Sequence, residues 1–243
     1  MKAIILAAGR GSRMGARTAD GPKCLTVLAG RTLLSRQWEA LTGAGAGEIG
    51  IVRGYRADRI DVPGAAYFEN PRWEQTNMVQ SLRAADDWLK ADACIVSYGD
   101  IVYSASAARR LMDCPGDIAI TYDPNWLALW SARFESPLSD AETFRTADDG
   151  RLVEIGGKAA NIEQVRGQYM GLLKFTPRGW QTVSNYLATL EPSAVDRLDM
   201  TGLLSRLLAT GARIDTVPIS DRWFEVDSER DLALYETMLG ERP

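Results

Sequence analysis

Histidine is absent from the 243 residues, which removes imidazole bases, imidazole metal ligands and imidazole proton shuttles together. Chemistry on this chain must rest on carboxylates, lysine, arginine or an oxygen-bound metal ion. Cysteine is scarce: Cys24, Cys94 and Cys114 are odd in number and lack Cys-x-x-Cys spacing. Neither a disulfide framework nor a zinc site is expected, and a reducing cytoplasm is the expected setting. Positive charge is not in excess, since the formal net charge is -4, so a general nucleic-acid binder is excluded. No apolar run is long enough to span a bilayer; the stretch Ala3, Ile4, Ile5, Leu6, Ala7, Ala8 reads as a buried first strand, and no membrane partner is expected.

The chain has 46% hydrophobic and 25% charged residues, a composition that folds around one substantial core. Short branched-apolar runs at residues 3–6, 49–52, 94–96, 118–121 and 214–217 alternate with segments of helical spacing. That alternation predicts an α/β fold with a doubly wound, mostly parallel sheet. Thr32 caps a helix carrying Leu34, Trp38 and Leu41 on one face, and Leu203, Leu204, Leu207 and Leu208 form another stripe. Thr176 before Pro177 marks a helix start, and Ser228 with Asp231 reads as a capping box. From about residue 140 to 175 the texture becomes that of antiparallel strands with an Asp149, Gly150 turn. The expectation is a single domain over residues 1–243 with a small antiparallel lid or insertion at about 123–175. A homodimer is compatible with such a chain.

The first strand runs into Leu6, Ala7, Ala8, Gly9, Arg10, Gly11, Ser12, Arg13, Met14, Gly15, with Pro22, Lys23 and Leu25 following. Small residues let backbone N–H groups approach a polyphosphate, and Arg13 and Lys23 offset its charge. Met14 stands where a dinucleotide fingerprint needs its third glycine, and no Gly-Lys-Ser/Thr follows as in a Walker loop. The whole string resembles the NTP-transferase superfamily that activates sugar phosphates and amino-alcohol phosphates. The resemblance implies a Rossmann-like nucleotidyltransferase fold, nucleotide binding by Leu6, Ala7, Ala8, Gly9, Gly11 and Ser12, and catalytic roles for Lys23 and Arg13.

A buried strand ends at Tyr98, Gly99, Asp100, and Glu225, Val226, Asp227 precede the last helix. In this family the equivalent acids hold Mg²⁺ with the NTP phosphates, which implies Asp100 and Asp227, with Glu225 the alternative to Asp227. Both acids also suit helix or turn caps. Such a site needs no histidine, because magnesium takes a few carboxylates, phosphate oxygens and water.

Phe68, Glu69, Asn70, Trp73, Thr76, Asn77, Met78, Val79, Ser81 and Leu82 resemble the branch of phosphocholine and 2-aminoethylphosphonate cytidylyltransferases. CTP is then the implied nucleotide, with Asn77 and Ser81 facing it one helical turn apart, unless both simply cap the helix. For the acceptor, a small phosphonate or phosphate, Trp126, Trp130 and Tyr169 are candidate aromatic walls for a quaternary ammonium. Asp140 and Glu142 are candidate partners of a primary ammonium, and Arg133 of the phosphonate. The tryptophans' spacing equally suits a core face, and Asp140, Glu142 and Arg133 equally suit a solvated surface. The stretch resembles the phosphonate branch most, which puts 2-aminoethylphosphonate first and phosphocholine second. A sugar-1-phosphate nucleotidyltransferase and a non-catalytic nucleotide-binding module are the rival readings.

Overall fold

The computed structural model describes residues 1–240. In chain order it has β1 (Lys2–Ala7), β2 (Val27–Leu28), β3 (Arg31–Thr32), α1 (Leu33–Ala44), β4 (Ile49–Arg53) and β5 (Ala66–Glu69). Then come α2 (Met78–Arg83), α3 (Asp86–Ala91), β6 (Cys94–Tyr98), β7 (Ile101–Val102), α4 (Ala105–Asp113), β8 (Ile118–Asp123) and α5 (Trp126–Arg133). The remainder is β9 (Glu142–Thr146), β10 (Leu152–Lys158), β11 (Gln168–Phe175), α6 (Pro177–Leu187), α7 (Pro192–Arg197), α8 (Met200–Ala209), β12 (Asp215–Pro218), β13 (Phe224–Glu225) and α9 (Glu229–Gly240). Among the described residues, no helix is long and apolar enough to cross a membrane.

Seven strands form the main sheet in the order β12, β8, β11, β6, β1, β4, β5. All neighbours are parallel except β11, which runs antiparallel between β6 and β8. The expected doubly wound, mostly parallel sheet is therefore what forms. Strand β1 pairs β4 on one side and β6 on the other, so the winding changes direction beside it. Open α/β sheets place their ligands at the carboxyl ends of strands at such a point. One apolar layer, with Leu41, Ile51, Leu111 and Trp130, lies on one face of the sheet. A second, with Leu82, Leu89, Trp180 and Leu204, lies on the other.

The segment expected as an antiparallel lid divides. Strands β9 and β10 make a separate antiparallel pair, whereas β11 is antiparallel but built into the centre of the main sheet. It is buried along almost its whole length, the continuous burial of a central strand rather than the alternation of a surface one. The helix starts behave as their sequences suggest: Thr32 accepts from Ser35 N–H, Thr176 from Gly179 N–H, and Ser228 and Asp231 cap each other's backbone.

Helix α1 buries more than its expected stripe. Leu34 and Leu41 are buried, but Gln37 is fully buried while Trp38 is half-exposed. Gln37 Nε2 donates to the carbonyls of Tyr98 (2.9 Å) and Ile101 (2.6 Å), closing the turn that carries Asp100. Gln37→Leu would take this donor from both carbonyls; that of Tyr98 also accepts from Ser97 Oγ at 3.0 Å, so the loss falls on the Ile101 carbonyl, and a buried unsatisfied group costs about 1–3 kcal/mol. Urea unfolding is expected to register a loss of that size; wild-type stability would mean the Ile101 carbonyl finds another donor.

Candidate active site

The cavity at the carboxyl ends of β1 and β6 has a volume of about 320 Å³. Leu6, Ala7, Ala8, Gly9, Gly11, Ser12, Arg13, Lys23, Asn77, Ser81 and Asp100 all line it. Close backbone approach explains two of the glycines. A Cβ at Gly99 would stand 2.5 Å from the Leu6 carbonyl oxygen. At Gly11, where φ is +73°, it would stand 2.7 Å from Lys23 Cβ. The far end of the loop is pinned by Met14, wholly buried against a cluster that includes Leu33, Phe224, Val226 and Tyr235. The residue that breaks the dinucleotide fingerprint is thus the anchor of the loop.

Strand pairing brings the two acids together. Strand β13 runs antiparallel to β7, with Glu225 opposite Ile101, and Val226 N–H donates to the Asp100 carbonyl at 3.0 Å. Lys23 then bridges the side chains: its Nζ lies 2.8 Å from Asp100 Oδ2 and 2.6 Å from Asp227 Oδ1. Burial alone would lower the Lys23 pKa, but the two carboxylates raise it above its ordinary value. Burial likewise works against ionised Asp227, yet Lys23, Arg13 and Arg133 hold its carboxyl below the usual range. Arg13 Nη2 lies 3.1 Å from Asp227 Oδ1, on a side chain that is 69% exposed, so its guanidinium is accessible from the loop.

Glu225 and Asp227 face different cations. Asp227 meets Lys23, while Glu225 Oε2 meets Arg133 Nη1 at 2.8 Å, and burial beside Asp227 pushes the Glu225 carboxyl up to about 7. Among the described residues no cluster of three or more Cys, Asp and Glu side chains forms a self-sufficient metal cage. Two carboxylates converging on one cation position, with Asp100 Oδ1 buried and lacking a hydrogen-bond partner, do suit magnesium, whose remaining ligands are phosphate and water.

Three of the expected acceptor contacts take other roles, and two of the expected nucleotide contacts are only partly available. Trp126 and Trp130 are 3% and 1% exposed and belong to the core, Trp126 Nε1 donating to the Val165 carbonyl at 3.0 Å. They cannot wall a ligand, because the helical spacing that equally suited a core face turns both inward. Arg133 is also buried, its guanidinium engaged by Glu225, Asp227 and Asp231, so it is not free to bind a phosphonate. Ser81 lines the cavity, but its hydroxyl accepts from buried Asn70 Nδ2 at 3.0 Å. Asn77 caps α2 and is exposed at the cavity edge.

The remaining acceptor candidates do converge. Tyr169 packs edge-on against Tyr98, with ring centroids 5.8 Å apart. Burial raises both phenols, and the nearby charges of Asp100, Asp199, Glu142 and Glu225 raise them further. Burial also raises the carboxyls of Asp140 and Glu142, and Asp140 lies within electrostatic reach of Arg133, Asp227 and Arg13. Glu142 Oε1 is 3.4 Å from Thr201 Oγ1. Glu142, half-buried, and the exposed Asp140 and Asp199 therefore form an acidic group within electrostatic reach of one another, Asp140 also feeling Asp227 and Arg13. Asp199 escaped the sequence reading because it caps α8 through Gly202 N–H, which in sequence looks like any helix cap. Trp73, Thr76, Met78, Tyr98 and Gly99 also line the cavity; they stood in the motif strings, yet no spacing rule separates liners from core there.

The loop geometry has a measurable consequence. Gly11→Ala combines a strained φ with a clash against the Lys23 stem, and a left-handed non-glycine residue costs about 1–2 kcal/mol. The midpoint of thermal unfolding should fall accordingly; an unchanged midpoint would mean that the loop can relax away from Lys23.

Residues 3–154, more than half of the chain, match the family described as MobA-like NTP transferase domain. The chain is 33% identical to the CTP:phosphoglutamine cytidylyltransferase of Campylobacter jejuni, over 96% of this chain and 98% of that protein. It is also 33% identical to the 2-aminoethylphosphonate cytidylyltransferase of Lancefieldella rimae, over 42% of this chain and 44% of that one. Among solved structures, the inositol-1-phosphate CTP transferase of T. maritima superposes with a TM-score of 0.76 at 20% identity, covering 99% and 96% of the two chains. The CTP:phosphocholine cytidylyltransferase of Streptococcus pneumoniae gives 0.71 at 19% identity, covering 98% of each. These two likenesses speak for the fold. The family match and the full-length likeness to a cytidylyltransferase together make this chain a member of the MobA-like NTP transferase family, and a nucleotidyltransferase.

Proposed function

We propose that the cavity transfers the CMP unit of CTP to a phosphate, phosphonate or phosphoramidate oxygen of a small amine-bearing acceptor, with Mg²⁺ as the metal. The observation that carries this reading is the group of acids Asp140, Glu142 and Asp199 within electrostatic reach of the Tyr98–Tyr169 ring pair and of the Lys23, Asp100 and Asp227 cluster. An ammonium seeks carboxylates, and the phosphoryl group of the same small molecule seeks the cations a short distance away. A neutral sugar phosphate would leave the acids without a partner.

The loop of Ala8, Gly9, Gly11 and Ser12 receives the triphosphate, and Arg13 and Lys23 neutralise it. Asp100 and Asp227 are the residues that would hold Mg²⁺. When bound, the ion supplies charge neutralisation on the phosphates and a common template for both substrates. An acceptor oxygen attacks the α-phosphorus of CTP, a new P–O bond forms, and the bond to the β-phosphate oxygen breaks to release pyrophosphate. The nucleophile is already ionised near neutrality, so no general base is needed and the lack of histidine is no obstacle. Lys23, held between two carboxylates, is poised to exchange them for the charge that develops on the leaving group.

Among acceptors, near full-length likeness favours phosphoglutamine ahead of the 2-aminoethylphosphonate that the sequence alone favours. Phosphocholine comes last, because burial of Trp126 and Trp130 removes two aromatic surfaces that a quaternary ammonium would want.

Pyrophosphate release with Mg²⁺ and each of CTP, ATP, GTP and UTP, against phosphoglutamine, 2-aminoethylphosphonate, phosphocholine and glucose-1-phosphate, tests the reading. Turnover should need CTP and an amine-bearing acceptor; turnover with the sugar phosphate alone would overturn the acceptor assignment. Lys23→Ala should lower kcat by about 100-fold or more while the circular dichroism spectrum is retained. Changing Asp140 to Asn and Glu142 to Gln together should raise KM for amine acceptors about tenfold, the size of one charge-assisted hydrogen bond. An unchanged KM for every amine would remove the two acids from recognition.

A further inference from the structure

The geometry points to Arg133 as the positioning residue of Asp227: it dictates which carboxylate oxygen faces the cation site. The inference rests on the reading that Asp227 holds the metal. Arg133 closes α5 with its side chain wholly buried, and its guanidinium makes a three-way fork. Nε lies 3.0 Å from Asp231 Oδ1, Nη1 2.8 Å from Glu225 Oε2, and Nη2 3.4 Å from Asp227 Oδ2.

The two oxygens of Asp227 are thereby divided. Oδ2 faces inward to Arg133, while Oδ1 faces outward to Lys23 at 2.6 Å and Arg13 at 3.1 Å. The fork is closed through the backbone as well, since the other oxygen of Asp231 accepts from the N–H groups of Asp227 and Ser228. Arg133 thus grips the side chain of Asp227 directly and its main chain through Asp231. The guanidinium is itself held in place, 4.9 Å from the ring centroids of both Trp130 and Phe134.

Without this cation, Glu225 and Asp231 would lose their buried counter-charge, and Asp227, left with Lys23 and Arg13 alone, could turn either oxygen toward them. A lysine restores the charge but not the planar fork, because an ammonium on a flexible stem cannot hold three carboxylates in fixed directions. The substitution Arg133→Lys therefore separates orientation from charge.

The test compares wild type with Arg133→Lys and Asp231→Asn. Mn²⁺ binding is read by electron paramagnetic resonance in the presence of a non-hydrolysable CTP analogue, with the half-saturating Mg²⁺ concentration, acceptor KM and thermal unfolding alongside. Arg133→Lys should unfold cooperatively, weaken Mn²⁺ binding tenfold or more, raise the half-saturating Mg²⁺ in parallel, and leave acceptor KM within twofold. Asp231→Asn should shift metal affinity in the same direction by less, and it carries the test alone if Arg133→Lys does not fold. Wild-type metal affinity in the folded variants overturns the inference, as does a raised acceptor KM with metal binding unchanged, which would mean direct contact with the acceptor. Metal binding is read without turnover, so a wild type that binds Mn²⁺ with the analogue but forms no product fails the catalytic reading alone.

Discussion

The ammonium of Lys23 between the carboxylates of Asp100 and Asp227 is the contact on which the site depends. Two acids that approach one cation from opposite sides would repel each other without it, and each comes from a different part of the chain. Asp100 ends a turn after β6 that Gln37 holds by two carbonyls, and Asp227 follows β13. The short ladder between β7 and β13 sets their separation. Lys23 reaches them past Gly11, where a side chain would strike its stem.

The same economy links the loop to the last helix. Met14, Phe224, Val226 and Tyr235 share one apolar cluster, so the end of the phosphate loop and the strand that leads to Asp227 are packed on each other. Apolar interiors are close-packed and transmit small displacements. A shift in the loop is therefore felt at Asp227 through the core as well as through Lys23. On the far side of Asp227, Arg133 continues the chain of contacts into α5, and α5 leads directly into the segment that carries Asp140 and Glu142. The glycine loop, Asp100 with Asp227, and the acids Asp140 and Glu142 are parts of one connected arrangement.

Much of this was legible in the sequence. Strand runs and helix caps gave the order of elements, and the glycine loop with Lys23, Asp100 and Asp227 stood in recognisable strings. What escaped has a common cause, which is that spacing reports a face but not what the face meets. Trp126 and Trp130 have the period of one helix side, and only the fold decides that this side is inward. Arg133 read as a phosphonate contact or a surface cation because its three acidic partners lie about 90 residues or more away in the chain. Gln37 and Asn70 are polar groups in apolar neighbourhoods whose partners are backbone and hydroxyl groups of other segments. Strand β11 read correctly as antiparallel, yet its place between β6 and β8 is a property of the whole sheet.

The central claim is that this cavity builds a P–O–P bridge between CMP and an amine-bearing acceptor. Phosphorus NMR of the wild-type enzyme with CTP, Mg²⁺ and phosphoglutamine, and in a second tube 2-aminoethylphosphonate, tests it most directly. The account predicts a new pair of mutually coupled doublets from a P–O–P bridge in at least one tube, growing in step with free pyrophosphate. Release of CMP with pyrophosphate and no coupled pair, or CTP left intact with both acceptors, would contradict it.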